Sequence, residues 1–176
     1  SYLPKVQASA GVGWVGHYDI VQSPTKGYID GAPEKHETTD PNVATGWQNV
    51  ILTAALSSEV FFGQDAPLDA IAESHAPQLK ALQNYRTSVY LEEQVVNSPE
   101  QRTSPYGMGP PPAMQFGHYN TNTPEDDIEL ARWYRGERFS RVSVTPGMIR
   151  GRKLLSIAGW AKHGVLWEFT DLPEGD

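Results

Sequence analysis

Residues 123–147, TPEDDIELARWYRGERFSRVSVTPG, constrain this chain more than any other stretch. Thr123 is a helix cap, Pro124 suits a first turn, and Glu125, Asp126 and Asp127 favour the positive end of a helix. Pro146-Gly147 stops any continuation. Before this helix, MQFGHYNT (114–121) alternates as a strand. After it, MIRGRKLLSIAGW and VLWEFTDL read as two more strands joined by AKHG. The second half of the chain is therefore strand-helix-strand-strand.

The first half is less sharply written. Residues 1–22 read as a hairpin: SYLPKVQA extended, SAGVG the turn, and WVGHYDIV alternating. Residues 23–42 are a Pro/Gly/Asp/Thr-rich loop. Residues 43–62 carry Trp47, Val50, Ile51, Ala54, Ala55 and Val60 at helical spacing, with Gly63 as a stop. A second helix is predicted over 67–84, divided at Ala76-Pro77, and a strand over 86–96. Residues 97–113 form another Pro/Gly/Ser loop. The last hairpin echoes the first in layout, with Asp19 and Asp171 at matching ends, which suggests an internal repeat. The element order matches the later part of one ferredoxin-like unit (1–96), a linker (97–113) and the earlier part of another (114–176). Such half-units leave sheet edge unpaired. We expect the halves to complete each other, or a second chain to do so.

Composition excludes several classes. Fourteen basic against 21 acidic residues give a net charge of −7, the wrong sign for binding a phosphate backbone, so no nucleic acid is expected. The absence of cysteine removes disulfides, thiolate metal sites and thiol nucleophiles, and fits a reducing, cytoplasmic setting. No apolar run reaches the ~20 residues that span a bilayer, so no membrane association is expected. The first residues read as strand rather than as a signal peptide and lack an initiator Met, which suggests a chain processed from a longer protein. The histidines are scattered without metal-ligand spacing, and no GxGxxG, GxxxxGK[ST] or GxSxG motif occurs. Neither metal nor cofactor is expected.

The run PEDDIELARWYRGERFSRVSVTPGMIRGRKL resembles the EthD-type branch of the dimeric α+β barrel superfamily, especially fungal proteins with two such repeats. That branch has an acidic helix start, then W-Y-[DE]-x-E-H, a P-G turn and R-x-R/K opening the next strand. Here the matching residues are Trp133-Tyr134, Glu137, Pro146-Gly147 and Arg150-Gly151-Arg152. The resemblance is good over 114–172 and loose over 1–22 and 86–96. It implies an α+β, ferredoxin-like dimeric barrel with antiparallel sheets, helices packed on the outside and two incomplete repeats. It also implies a pocket under a curled sheet, and a homodimer or complementing chain. Relatives include cofactor-independent enzymes that decarboxylate, dehydrate or cyclise polyketides; others have no known activity. The family's motif histidine is replaced by Arg138, and Arg135 replaces the usual acid.

The candidate site residues follow. Arg138 stays protonated and so holds an anionic oxygen rather than acting as a base; the alternative is an ion pair with Glu137 or Asp127 on the helix surface. Trp133 and Tyr134 point ~100° apart, with Trp133, in register with Leu130, as the core residue and Tyr134 at a pocket rim. His118, mid-strand beside Met114 and Phe116, is the leading proton-transfer group, with His17 its counterpart in the first half. His163 falls in the AKHG turn and is expected to be exposed, while His36 and His75 lie in or near irregular stretches. Arg135 is a further anion contact, and Trp47, Trp160 and Trp167 offer apolar wall. The leading expectation is a cofactor-independent enzyme moving a proton on a polyketide-like or oxygenated aromatic small-molecule substrate. The alternative is a non-catalytic small-molecule-binding or assembly module on the same barrel.

Overall fold

The helix bracketed by Thr123 and Pro146-Gly147 forms as predicted in the computed structural model, which describes residues 2–21, 39, 48–62, 66–82, 85–99 and 109–172. Helix α4 (Pro124–Trp133) continues into a π-helical turn, Tyr134–Arg138, and a last turn α5 (Phe139–Val142). The stop is a type II turn. The Met148 amide donates to the Thr145 carbonyl at 3.1 Å, and Gly147 sits at φ +76°, a value that favours glycine at that position.

The chain is α+β with antiparallel sheets. In chain order the other elements are α1 (Tyr2–Gln7), β1 (Val12–Asp19), β2 (Asn49–Ala55), a short 3-10 turn (Ser58–Val60), α2 (Pro67–Ser74), α3 (Ala76–Lys80), β3 (Val89–Asn97), β4 (Ala113–Tyr119), β5 (Met148–Ala158) and β6 (His163–Phe169). β1 and β2 form a two-stranded sheet; the larger sheet runs β3-β5-β6-β4. β4 and β5 each pair antiparallel with β6, so they run parallel with β6 inserted between them. This is the split β-α-β arrangement of ferredoxin-like units, with α4 as the crossing helix. β3 enters the same sheet beside β5, so strands from both sides of the 97–113 loop share one sheet.

Two expectations are corrected. YLPKVQ is a helix, not a strand. Pro4 lies within its first turn, where the missing N–H costs nothing. Its end is fastened to β1 because the Gln7 Oε1 accepts from the Val15 amide at 2.8 Å. The first hairpin therefore has no strand partner of its own, and its layout differs from that of β5–β6. Residues within the predicted 43–62 helix form strand β2, which pairs with β1 from Asn49 opposite Asp19 to Ala55 opposite Val12. The β-branched Val50, Ile51 and Thr53 suit that half-exposed ladder. The predicted 67–84 helix is α2 and α3, divided at His75 beside Pro77. Trp47, Gly63, His36 and most of both Pro/Gly loops lie outside the described residues.

The two faces of the larger sheet differ. One carries Tyr119, His163, Val165, Trp167, Phe169, Gly151 and Lys153, as the strand register requires. The α4–α5 helix covers this face, and the core cluster of Tyr134, Phe139, Val142, Met148, Val165, Trp167 and Phe169 lies between them. Gly151 is required here: a Cβ would lie 2.4 Å from the Trp167 ring. The other face carries Phe116, His118, Leu154, Leu166, Arg152 and Glu168. The β1–β2 sheet reaches its edge, where the Tyr18 hydroxyl donates to the Pro111 carbonyl at 3.0 Å.

Candidate functional site

The seam between helix and sheet begins at the α4 cap. Thr123 Oγ1 accepts from the Asp126 amide, and Asp126 Oδ2 accepts from the Thr123 amide, both at 3.1 Å. This reciprocal capping box satisfies two helix-end donors. It leaves Asp127 free of capping duty. Asp127 instead receives hydrogen bonds from Thr121 and Lys162, and from His163 Nε2 at 2.6 Å. These three donors, Lys162 foremost, hold the Asp127 carboxyl well below the usual carboxylate range.

His163 opens strand β6 and is buried, not exposed in a turn. Its Nδ1 lies 3.4 Å from the Lys153 ammonium. Facing a donor, Nδ1 must accept, so Nε2 carries the hydrogen and donates to Asp127. Lys153, with no exposed surface, pairs also with Glu93. A continuous chain of polar contacts, Glu93–Lys153–His163–Asp127, thus runs from β3 through β5 and β6 to the first turn of α4.

Aromatic rings and an arginine lie beside this chain. Across the π turn the Phe139 amide donates to the Tyr134 carbonyl. This wider turn sets Tyr134, Arg138 and Phe139 together over Trp167. Ring centroids lie 6.3 Å apart for Tyr134–Trp167 and 5.7 Å for Phe139–Trp167. The Arg138 guanidinium stands 5.4 Å from the Trp167 ring and 5.9 Å from the Trp133 ring. Such single π turns recur where function demands an unusual side-chain direction. The surface ion pair weighed for Arg138 is made by Arg141 with Glu137 instead. Tyr134, not Trp133, is the fully buried member of the pair.

Tyr119 stacks on His163 with centroids 5.8 Å apart and lies near Tyr134, Arg138 and Glu93. Burial pushes the Tyr119 and Tyr134 hydroxyls up, so both stay protonated at neutral pH. Burial pulls Arg138 down, but a guanidinium remains a cation. Among the described residues, Arg138 Nη1 and Gln94 Oε1 are buried without a hydrogen-bond partner, and the equally buried Tyr119 hydroxyl faces that of Tyr134. Gln94 Nε2 is fixed to the Ala131 carbonyl at 3.3 Å, so all three atoms belong to the same seam. A cleft of about 430 Å³, lined by Glu93, Gln94, Arg135, Phe139 and Ser140, opens at the β3 side of the seam.

His118 occupies the opposite face of the sheet. Its ring packs on Phe116, with centroids 4.4 Å apart, and Nδ1 lies 3.4 Å from an Arg86 nitrogen. Burial, with help from the Arg86 charge, depresses its pKa to about 4. The structure therefore brings Tyr134, Arg138, Trp133 and Trp167 together, with Arg135 at the cleft, but separates them from His118. His17 is remote as well, exposed on β1 and bonded to Asn49 Oδ1 at 2.9 Å. Trp160 lies in the β5–β6 turn, its carbonyl held by Ser88 and Tyr90. Tyr119, Gln94, Glu93 and Lys153 were not singled out by the sequence, which placed His163 in an exposed turn and Asp127 at the helix start. The alternation of MQFGHYNT put Tyr119 opposite His118, but strand register is needed to bring β3, β5 and β6 to it. No three His, Cys, Asp or Glu side chains converge as a metal site among the described residues.

The two perturbed acids give a pH signature. The unfolded chain takes up a proton on His118 near pH 6.5, one the folded chain refuses until about pH 4. The stability from His118 is thus complete above about pH 6.5 and lost as pH falls toward about 4. Asp127, depressed when folded, contributes above its ordinary value of 3.8 and loses that contribution as pH falls below it. Urea midpoints measured on acidification are expected to fall in two stages, and His118→Gln is expected to remove the first. An unchanged profile in that variant would contradict the burial of His118 as a neutral ring.

Comparison of the chain with protein-family models, curated proteins and solved structures returned no match.

Proposed function

We propose that the chain is a cofactor-independent enzyme that moves a proton on an oxygenated aromatic small molecule bound between the α4–α5 helix and the sheet. One observation carries this reading: Arg138 Nη1 is buried without a hydrogen-bond partner over the Trp133 and Trp167 rings, beside the Tyr119 and Tyr134 hydroxyls. Buried polar groups are almost always satisfied, so an unsatisfied guanidinium nitrogen flanked by hydroxyls marks where a ligand's oxygen fits. Arg138 takes an anionic oxygen, and the Tyr119 and Tyr134 hydroxyls, kept protonated, donate to it. The Trp133 and Trp167 rings supply apolar wall. His163, oriented by Asp127, is the imidazole of this seam, and it replaces His118 in the proton-transfer role. The reaction class is decarboxylation, dehydration or cyclisation. A second chain closes the sheet over the incomplete repeats, as in a dimeric barrel.

The test is native mass spectrometry of the full chain after incubation with a metabolite extract. Wild type is expected to retain a small molecule and to show more than one subunit. Arg138→Gln and Tyr119→Phe are each expected to lose at least about tenfold in retention, the size of one charge-assisted hydrogen bond. Retention equal in all three proteins would refute the assignment. Retention without turnover of the ligand would favour a binding module.

A further inference from the structure

Lys153 stands where an apolar residue would pack. It is opposite Val165 and Gln94 on a central strand, without exposed surface. A buried ammonium is costly unless it is fully partnered. Its two partners differ in kind. Glu93 is a carboxylate that lines the 430 Å³ cleft and is one-third exposed. His163 Nδ1, at 3.4 Å, is an acceptor whose other nitrogen is held by Asp127 at 2.6 Å. An amine beside a base, with the base oriented by a carboxylate, is the arrangement that activates a nucleophile. The Tyr119 ring stacks on the same imidazole, with centroids 5.8 Å apart.

We propose that Lys153 is an imine-forming lysine that accepts the carbonyl carbon of a ketone or aldehyde entering along Glu93. The step balances without a co-reactant. The Lys153 ammonium passes one proton to His163 Nδ1, and the neutral amine adds to the carbonyl carbon, forming the Nζ–C bond. The oxygen collects the proton held by His163 and one from the nitrogen, and the C–O bond breaks to release water. A cationic iminium remains, with Glu93 as its counter-ion, and Tyr119 donates a hydrogen bond to the departing oxygen. Such an iminium withdraws electrons from the adjacent carbon, which serves decarboxylation or proton abstraction at that carbon. The inference rests on the proposed seam being the reaction site, and it narrows the substrate class to carbonyl compounds.

The experiment incubates the full chain with acetone and sodium cyanoborohydride, then maps the reductively alkylated lysine by peptide mass spectrometry. Labelling is expected at Lys153 at least about tenfold faster than at the exposed Lys5, Lys80 and Lys162, despite its burial. Acetylacetone is expected to give the ultraviolet absorbance of an enaminone, lost in Lys153→Arg. His163→Asn is expected to slow trapping. Labelling confined to surface lysines, or none at all, overturns the proposal. If Lys153→Arg fails to fold, the wild-type peptide map decides alone. Failure of trapping while Arg138-dependent ligand retention persists would end the imine and leave the binding seam standing; loss of both would end both.

Discussion

Trp167→Ala is expected to be among the most destabilising single substitutions in this chain, costing about 3–5 kcal/mol. The ring is 4% exposed and is touched from every side. Tyr134 and Phe139 pack on it, Arg138 stands over it, and Gly151 lacks a Cβ so that it fits. Truncation leaves a cavity between the sheet and the helix that packs on this ring. Typical domains have only about 5–15 kcal/mol to lose, so a fall in melting temperature on the order of 10 °C is expected. Urea unfolding followed by circular dichroism measures it. A loss under about 1 kcal/mol would mean that the helix does not pack there. Gly151→Ala probes the same contact from the opposite side, because the added methyl drives into the ring.

Lys153→Met is expected to cost about 3 kcal/mol, because breaking a buried ion pair strands the remaining charge. Glu93 is one-third exposed and can turn toward water, which places the cost at the low end of the range for such pairs. His163 Nδ1 also loses its donor. The double variant Glu93→Leu/Lys153→Met is expected to recover most of the loss, since replacing both partners by apolar groups is close to neutral. A double-mutant cycle by urea unfolding measures the coupling. Additive losses would show that the two residues do not act as a pair.

The second half of the fold was legible in the sequence because its signals are local. A cap, a first-turn proline, an acidic start and a Pro-Gly stop all act within a few residues, and α4 and its turn follow them. β2 was not legible. The spacing of Val50, Ile51, Ala54 and Ala55 fits a helical face, and what makes the segment a strand is β1, more than thirty residues away. α1 was misread for a similar reason: its helix is held by Gln7 reaching β1. At the candidate site the sequence named Tyr134, Arg138 and Trp133 from a motif on one element, and Trp167 separately as apolar wall. It misplaced His163, because AKHG reads as a turn while the strand in fact begins at its histidine. It could not join Glu93, Lys153 and Asp127, which come from three elements and meet only through register. Strand alternation did separate His118 from Tyr119, and the fold turns that parity into two sheet faces.

The central claim is that the ligand lies on the helix-covered face of the sheet and not on the face of His118. Calorimetric titration of wild type, Arg138→Gln and His118→Gln with salicylate, an aromatic carrying a carboxylate and a phenol, tests it most directly. The account predicts that Arg138→Gln weakens binding about tenfold or more, while His118→Gln leaves the affinity within about twofold. Binding abolished by His118→Gln and untouched by Arg138→Gln would move the site to the other face and contradict the account.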